Sequence, residues 1–157
     1  MIIDRFKQLT HNSRIRIIPH DTQEMKTKSE CQQNLGVKKW IVQIEGSSDS
    51  LFEGQKFQLQ FKFDDRYPHE SPEVIFIGDN IPVHEHIYSN GHICLSVLYD
   101  QWSPAMGVLT TCLSILSMLS SCTEEQHHRP ENDKQYCREM IGISPKLTRW
   151  EFHDDKC

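Results

Sequence analysis

The stretch KFQLQFKF, residues 56–63, alternates polar and apolar residues along its whole length. Lys or Gln occupies each even position, and the odd positions hold Phe57, Leu59, Phe61 and Phe63. Because the side chains of a β-strand point alternately to its two faces, this pattern predicts a strand with one buried face. The polar face of the strand then lies toward solvent or a partner.

Two further stretches, one on each side, have the same kind of pattern. WIVQIEG, residues 40–46, alternates through Trp40, Val42 and Ile44 and ends at a glycine. EVIFIG, residues 73–78, follows Pro72 and also ends at a glycine. Short, turn-rich links join the three stretches, so the sequence predicts an antiparallel meander.

Helical periodicity appears on the carboxyl side of these strands, in SPAMGVLTTCLSILSMLS, residues 103–120. Ser103 is predicted to cap this helix and Pro104 to occupy its first position. Its apolar face is formed by Leu109, Cys112, Leu113, Leu116 and Leu119. A shorter helix is predicted near the start of the chain, with an apolar stripe of Ile2, Phe6 and Leu9. Strands and helices together predict an α+β fold.

The size and charge of the chain limit the classes of protein to which it can belong. Its 157 residues, 37% of them hydrophobic, predict a single domain over residues 1–157. The formal net charge is −5, yet residues 1–40 carry +4. That basic segment is either a solvated face or a patch that attracts an acidic protein partner. Nucleic acid is a weaker candidate, because the whole chain is acidic.

Neither a membrane span nor a secretory signal is predicted. The first 17 residues interrupt their apolar positions with charge, unlike a signal peptide. The most apolar run, residues 105–122, is diluted by Ser and Thr. The six cysteines are therefore expected to be separate thiols in a reducing compartment, the cytoplasm or the nucleus.

The connection between the last strand and the long helix, PVHEHIYSNGHICLSVL (residues 82–98), concentrates the reactive side chains. His84 and His86, then His92 and Cys94, form two pairs of zinc-type ligands. A metal site is the weakest interpretation, because the sequence has no C-x-x-C and no second ligand cluster. A buried structural turn and a site with a cysteine nucleophile remain, and irregular segments on a rigid scaffold often carry catalytic groups.

Ordered motifs over residues 40–122 resemble the ubiquitin-conjugating enzymes, and within that family the W type. They are WIVQIEG, SLFEGQKFQLQFKF, RYPHESPEVIF, NIPVHEHIYSNGHICLSVL and QWSPAMGVLTTCLSILSMLSSC. The ending TRWEFHDDKC is also similar to the W type. The resemblance implies a four-stranded antiparallel meander packed against an amino-terminal helix and the long helix. It also implies a mobile tail over residues 131–157, although Trp150 and Phe152 are side chains that favour burial.

The resemblance implies that Cys94 is the nucleophile that accepts ubiquitin from an activating enzyme as a thioester. Family members usually carry His-Pro-Asn where this chain has His84-Glu85-His86. His84 would then support the loop, and His86 would support the reaction intermediate or the acceptor. Histidine at the third position resembles the W type, which transfers ubiquitin to the free amino termini of proteins with flexible starts. Glu85 departs from the pattern.

The resemblance also implies partners. RING-type ligases would bind two loops through Pro68, His69, Ser103, Pro104 and Ala105. Arg5 and Lys7 would contact the activating enzyme, which spends the ATP, so that this chain binds no cofactor itself. Glu131 and Asp133 are the candidates for an acidic gate beside the nucleophile.

An alternative function is a catalytically silent variant of the same fold that binds ubiquitin or a ligase. The presence of Cys94 within its full motif favours the enzyme over that alternative. A related modifier in place of ubiquitin stays open at this point.

Overall fold

The computed structural model describes residues 14–18 and 38–152 of the chain. This part begins with four strands, β1 Ile15–Ile18, β2 Lys38–Glu45, β3 Lys56–Phe63 and β4 Glu73–Ile77. The helices that follow are α1 Val108–Ser120 and α2 Asp133–Glu139, with 3-10 turns at Ser96–Leu98, Glu124–Gln126 and Pro145–Leu147. The strands form one sheet in the order β1-β2-β3-β4, with every neighbouring pair antiparallel. The predicted α+β meander is confirmed.

Strand β3 lies at the centre of the packing, as its alternation predicts. Phe57, Leu59 and Phe61 are buried against the core, while Lys56 and Gln58 are exposed on the other face. Four apolar side chains that become fully buried in this way stabilise the fold by several kcal/mol, since each contributes about 1.5 to 3 kcal/mol. Strand β1 had no periodic signal of its own and was implied only by the family resemblance.

The predicted start of the long helix is wrong. Helix α1 begins at Val108 and its N-cap is Gly107, in extended conformation. Ser103 instead closes a local turn, in which its carbonyl accepts from the Met106 N–H (2.9 Å) and its hydroxyl accepts from the Ala105 N–H (3.4 Å). A serine whose oxygens are used in its own turn does not cap a helix, because the turn competes with the cap. Pro104 therefore lies outside the helix.

The predicted apolar face of α1 is correct except for one residue. Cys112, Leu116 and Leu119 are buried, together with Ile115 and Met118. Leu113 was placed on the same face, but 44% of it is exposed. The buried face is centred nearer to Ile115, and this rotation around the helix carries Leu113 to the solvent side.

The irregular connection after β4 is itself part of the hydrophobic core. Ile87, Ile93, Leu95 and Leu98 are buried in the same cluster as the sheet and α1. A loop anchored in this way holds its polar side chains in fixed positions, because interiors are close-packed.

Several expectations concern residues outside the described ranges. These are the amino-terminal helix of Ile2, Phe6 and Leu9, and the contacts of Arg5 and Lys7. The mobility expected of residues 131–157 stays a prediction; up to Phe152, α2 and the segment after it have defined contacts. Within the part of the chain that the structure describes, the helices lack the length and apolarity of a membrane crossing.

Candidate active site

Residues 84–94 fold into a short hairpin that brings His86 next to Cys94. Ile87 pairs with both His84 and Ile93, and the Cys94 N–H donates to the His86 carbonyl at 2.8 Å. The two residues are eight positions apart in sequence. Their backbones are nevertheless in direct contact, so the hairpin fixes the imidazole relative to the thiol.

The hairpin turns at Gly91 and is attached there to the sheet. The Gly91 N–H donates to the Tyr88 carbonyl (2.9 Å), and the Gly91 carbonyl accepts from the Phe76 N–H of β4 (2.9 Å). The φ of Gly91 is 88°, and an added Cβ would lie 2.0 Å from the Phe76 carbonyl oxygen. Glycine alone satisfies both conditions. The turn therefore holds the reactive segment against the edge of the core.

His84 is the internal support of this hairpin. Its side chain is 1% exposed, and its Nδ1 accepts the backbone N–H of His86 at 3.0 Å. Burial lowers the pKa of His84 from 6.5 to about 4, and the nearby His86 adds to that effect. The imidazole is therefore neutral near pH 7, with its hydrogen on Nε2. The supporting role expected of His84 from the sequence stays a prediction.

Cys94 is half-buried and lies in a pocket of about 440 Å³. The other residues that line the pocket are Glu85, His86, Tyr88, Asn132, Tyr136, Thr148, Arg149, Trp150 and Glu151. The pocket thus combines an accessible sulfur with hydrogen-bonding groups and with charges of both signs. Such a combination suits a cysteine that acts as a nucleophile.

One wall of the pocket comes from the segment after α2. The Cys94 thiol donates to the Glu151 carbonyl at 3.7 Å. Trp150 packs among three tyrosines, with ring-centroid distances of 5.9 Å to Tyr88, 5.4 Å to Tyr99 and 5.6 Å to Tyr136. The sequence indicated Trp150 as a residue that favours burial but gave no connection between it and Cys94. The cluster of aromatic residues near the chain's end was the available signal.

Glu85 is held firmly at the side of the same pocket. Its Oε1 accepts from the Gln126 side chain (2.8 Å) and lies 3.7 Å from His86 Nε2. The Glu85 N–H also donates to the Gln126 carbonyl (3.0 Å). Gln126 is fixed in turn by a capping box with Thr123, whose N–H donates to Gln126 Oε1 at 3.1 Å. Sequence analysis did not identify Gln126, because the contact spans 41 residues.

The two carboxylates considered for an acidic gate lie elsewhere. Asp133 accepts hydrogen bonds from the Ser89 N–H (2.7 Å) and the Ser89 hydroxyl (2.8 Å). Burial acts to raise the pKa of Asp133, but these bonds outweigh burial and the pKa is lowered. Glu131 is exposed. Neither lines the Cys94 pocket, whose carboxylate residues are Glu85 and Glu151.

The two loops predicted to bind a ligase are adjacent in space. The Trp102 indole N–H donates to the Pro68 carbonyl at 2.9 Å and joins the loops. The side chains around this junction that are exposed include His69, Ser103, Pro104 and Ala105. The structure therefore brings together the five predicted residues on one surface.

The other described cysteines have structural surroundings. Cys112 is buried on α1, which raises the pKa of its thiol to about 12. Cys122 is buried at the end of that helix, and Cys137 contacts Asp133 and Ser89. None of these three lines the pocket. Among residues 14–18 and 38–152, no three His, Cys, Asp or Glu side chains are grouped as a metal site would require.

Comparison with known proteins identifies the class. The model of the family described as "Ubiquitin-conjugating enzyme" matches residues 14–150, so the chain belongs to that family. A solved member, the ubiquitin-conjugating enzyme E2 UbcA1 from Agrocybe aegerita, superposes with a TM-score of 0.70 at 32% identity, covering 87% of this chain and 89% of that one.

Within the family, the similar proteins include members of the W type. "Probable ubiquitin-conjugating enzyme E2 W" from Dictyostelium discoideum is 57% identical over 117 residues, which are 74% of this chain and 76% of that protein. "Ubiquitin-conjugating enzyme E2 W" from Caenorhabditis elegans is 52% identical over 119 residues, 76% of each. The W type predicted from the sequence is confirmed.

Family membership carries a coarse function with it. The protein is an enzyme that conjugates ubiquitin, and its partners are ubiquitin, an activating enzyme and a ubiquitin ligase. The roles of individual residues, the kind of ligase and the kind of acceptor are further questions.

Proposed function

We propose that Cys94 carries ubiquitin as a thioester and passes it to the α-amino group of substrates whose amino termini are flexible. The main support is the position of the Cys94 sulfur, which faces a pocket lined by His86 and other polar groups. Of the four described cysteines, only Cys94 lines that pocket.

The reaction consists of two transfers of ubiquitin, and in each a nucleophile attacks the carbonyl carbon of a thioester. In the first, the Cys94 thiolate attacks the ubiquitin thioester on the activating enzyme, and the thiolate of that enzyme leaves. In the second, the lone pair of a neutral amine attacks the new thioester. The carbon–sulfur bond breaks with its electron pair on sulfur, and the nitrogen gives up one proton as the amide forms. ATP is used by the activating enzyme, and this chain needs no cofactor of its own.

Acceptor preference follows from the acidity of the amine. An α-ammonium group has a pKa of about 7.7 to 8.0, against about 10.4 for lysine, so near neutral pH about a tenth of it is neutral, compared with less than about a thousandth of lysine. An α-amine thus needs less help in losing its proton. His86, with an N–H that can stabilise negative charge on the thioester oxygen, suffices in this proposal where the usual asparagine is missing.

We place RING-type ligases on the surface that joins Pro68 and His69 to Ser103, Pro104 and Ala105. Its support is the exposure of these loops and their connection through Trp102. We place the protein in the cytoplasm or the nucleus, where thiols such as the four described cysteines persist.

A charging assay tests the carrier. The protein is mixed with ubiquitin, activating enzyme and ATP and is resolved with and without reducing agent. Wild type should give a reducible band of added ubiquitin mass, and Cys94→Ala should give none. Cys137→Ala is the matched control and should charge normally, because that partly exposed thiol does not line the pocket. Charging of Cys94→Ala would overturn the assignment.

Discharge of the purified thioester tests the acceptor. A lysine-free peptide with a free amino terminus should discharge wild type faster than Nα-acetyl-lysine, which presents only its ε-amine. His86→Asn should increase the rate with Nα-acetyl-lysine. Equal rates for the two acceptors would contradict the α-amine preference. If His86→Asn left the ratio of the two discharge rates unchanged, the role of His86 would be contradicted.

A further inference from the structure

We propose that Glu85 is the residue that binds the ammonium form of the acceptor beside the Cys94 thioester. This inference rests on the proposed function, since it concerns the acceptor that the thioester receives. It assigns an acceptor-binding role to the residue by which the loop departs from the family's usual His-Pro-Asn triplet.

Glu85 and Cys94 line one pocket, and the Glu85 side chain remains about one-third exposed there. Two contacts with Gln126 hold this residue in a defined position. Oε1 is fixed by the Gln126 side chain, and the backbone of Glu85 is fixed by the Gln126 carbonyl. Gln126 is itself fixed by its capping box with Thr123. The rest of the carboxylate is therefore presented to the pocket in a defined direction.

The second oxygen of Glu85 has capacity to accept a donor. Oε1 is used by Gln126 and lies near His86 Nε2, while Oε2 accepts no hydrogen bond from any residue within the described ranges. A carboxylate oxygen of this kind binds an ammonium group through a charge-assisted hydrogen bond. An amino terminus held there shares the pocket with His86 and with the Cys94 sulfur.

The other charged residues of the pocket favour Glu85 for this role. Arg149 is exposed, and its positive charge repels an ammonium group. Glu151 is exposed at the end of the chain segment over the thiol, where its backbone carbonyl, rather than its carboxylate, contacts Cys94. Glu85 is the pocket carboxylate with a fixed position. The binding equilibrium holds the ammonium form, and attack on the thioester follows when the amine loses its proton to solvent.

Glu85→Gln tests the inference, because the amide oxygen of Gln can still accept from Gln126 while the charge is lost. With purified thioester and a lysine-free peptide, KM for the peptide should rise about two- to five-fold, the range of a partly exposed ion pair, and kcat should change less. The difference from wild type should shrink at high salt. Discharge by hydroxylamine, which is neutral at pH 7, should be the same for both proteins.

Glu125→Gln is the matched control, since it removes the same charge from the neighbouring 3-10 turn Glu124–Gln126, which contacts Glu85 through Gln126, but Glu125 does not line the pocket. It should leave KM for the peptide unchanged. An unchanged KM in Glu85→Gln, or equal losses with peptide and with hydroxylamine, would overturn the ammonium-binding role while leaving the thioester carrier intact. Failure of wild type to form the thioester would overturn the proposed function and this inference together, so the two failures are distinguishable.

Discussion

The tripeptide Cys-Leu-Ser occurs twice in this chain, at residues 94–96 and at residues 112–114. In the hairpin that follows β4, Cys94 is half-buried in the pocket while Leu95 is buried, 8% exposed. In α1 the arrangement is reversed, with Cys112 fully buried and Leu113 44% exposed. The same tripeptide therefore leaves its thiol accessible in the pocket at residue 94 and buries it at residue 112.

The difference arises from the elements that hold each tripeptide. At Cys94 the backbone is extended and paired with His86, so that successive side chains point to opposite faces. In α1 the positions of Cys112 and Leu113 differ by the angular step of the helix, and packing against the sheet selects the face that carries Cys112. The accessibility of each thiol therefore follows from tertiary position, because the cysteine and the two residues after it are the same in both copies.

Alkylation should give the largest contrast between the two sites. Burial raises the pKa of the Cys112 thiol from 9.0 to about 12, so that at pH 8 about one in ten thousand of it is thiolate. Its side chain is also fully buried, whereas Cys94 lines an open pocket. We expect iodoacetamide to modify Cys94 much faster than Cys112, measured by mass spectrometry of the two peptides. In denaturant the rates should converge, and similar rates in the folded protein would contradict the packing of α1.

The two leucines provide the next contrast. Leu95→Ala removes a buried side chain and should lower the free energy of unfolding by about 3 kcal/mol. Leu113→Ala removes an exposed one and should change it by less than about 1 kcal/mol. Urea denaturation of both variants measures the pair. A larger loss for Leu113 would mean that the solvent side of α1 is covered.

The hairpin should also respond to pH through His84. The folded pKa of about 4 lies below the ordinary 6.5, so the unfolded state binds more protons between these values. The stability due to neutral His84 is thus complete above pH 6.5 and is lost as pH falls toward 4. We expect the protonation of His84 to lower the free energy of unfolding by about 2 kcal/mol between pH 7 and pH 5.

His84→Gln isolates this contribution. Denaturant unfolding at pH 7 and pH 5 should show a smaller pH-dependent loss in the variant than in wild type. His69→Gln, a change at an exposed histidine, is the control and should keep the wild-type dependence. Equal pH dependence in all three proteins would show that protonation of His84 does not destabilise the hairpin.

Much of the fold could be predicted because β2, β3 and β4 bury alternate residues and α1 buries one stripe. Apolar residues show a regular spacing in the sequence only when one face of a strand or helix is buried and the other is exposed. Strand β1, four residues long, is too short for its pattern to be distinctive. The start of α1 was misplaced because Ser103 can cap a helix or close a turn, and local sequence does not decide between them.

The site was predicted in part. Cys94, His84 and His86 came from a motif that is contiguous in sequence, and the structure places all three in one hairpin. The far wall of the pocket was not predicted as part of the site. Trp150 lines the pocket and Gln126 fixes Glu85 at its side, both from segments more than 30 residues away along the chain, and no local pattern connects them with Cys94.

The sequence by itself determined strands β2, β3 and β4, the helix that packs on the sheet and the cysteine motif, because each depends on residues close together in the chain. Only the tertiary structure decided which copy of Cys-Leu-Ser presents its thiol, and which groups surround that thiol. The physical reason is that exposure and electrostatic environment are set by contacts between distant segments. Glu85 illustrates this: the sequence marked it as a departure, and its contact with Gln126 gave it a direction in the pocket.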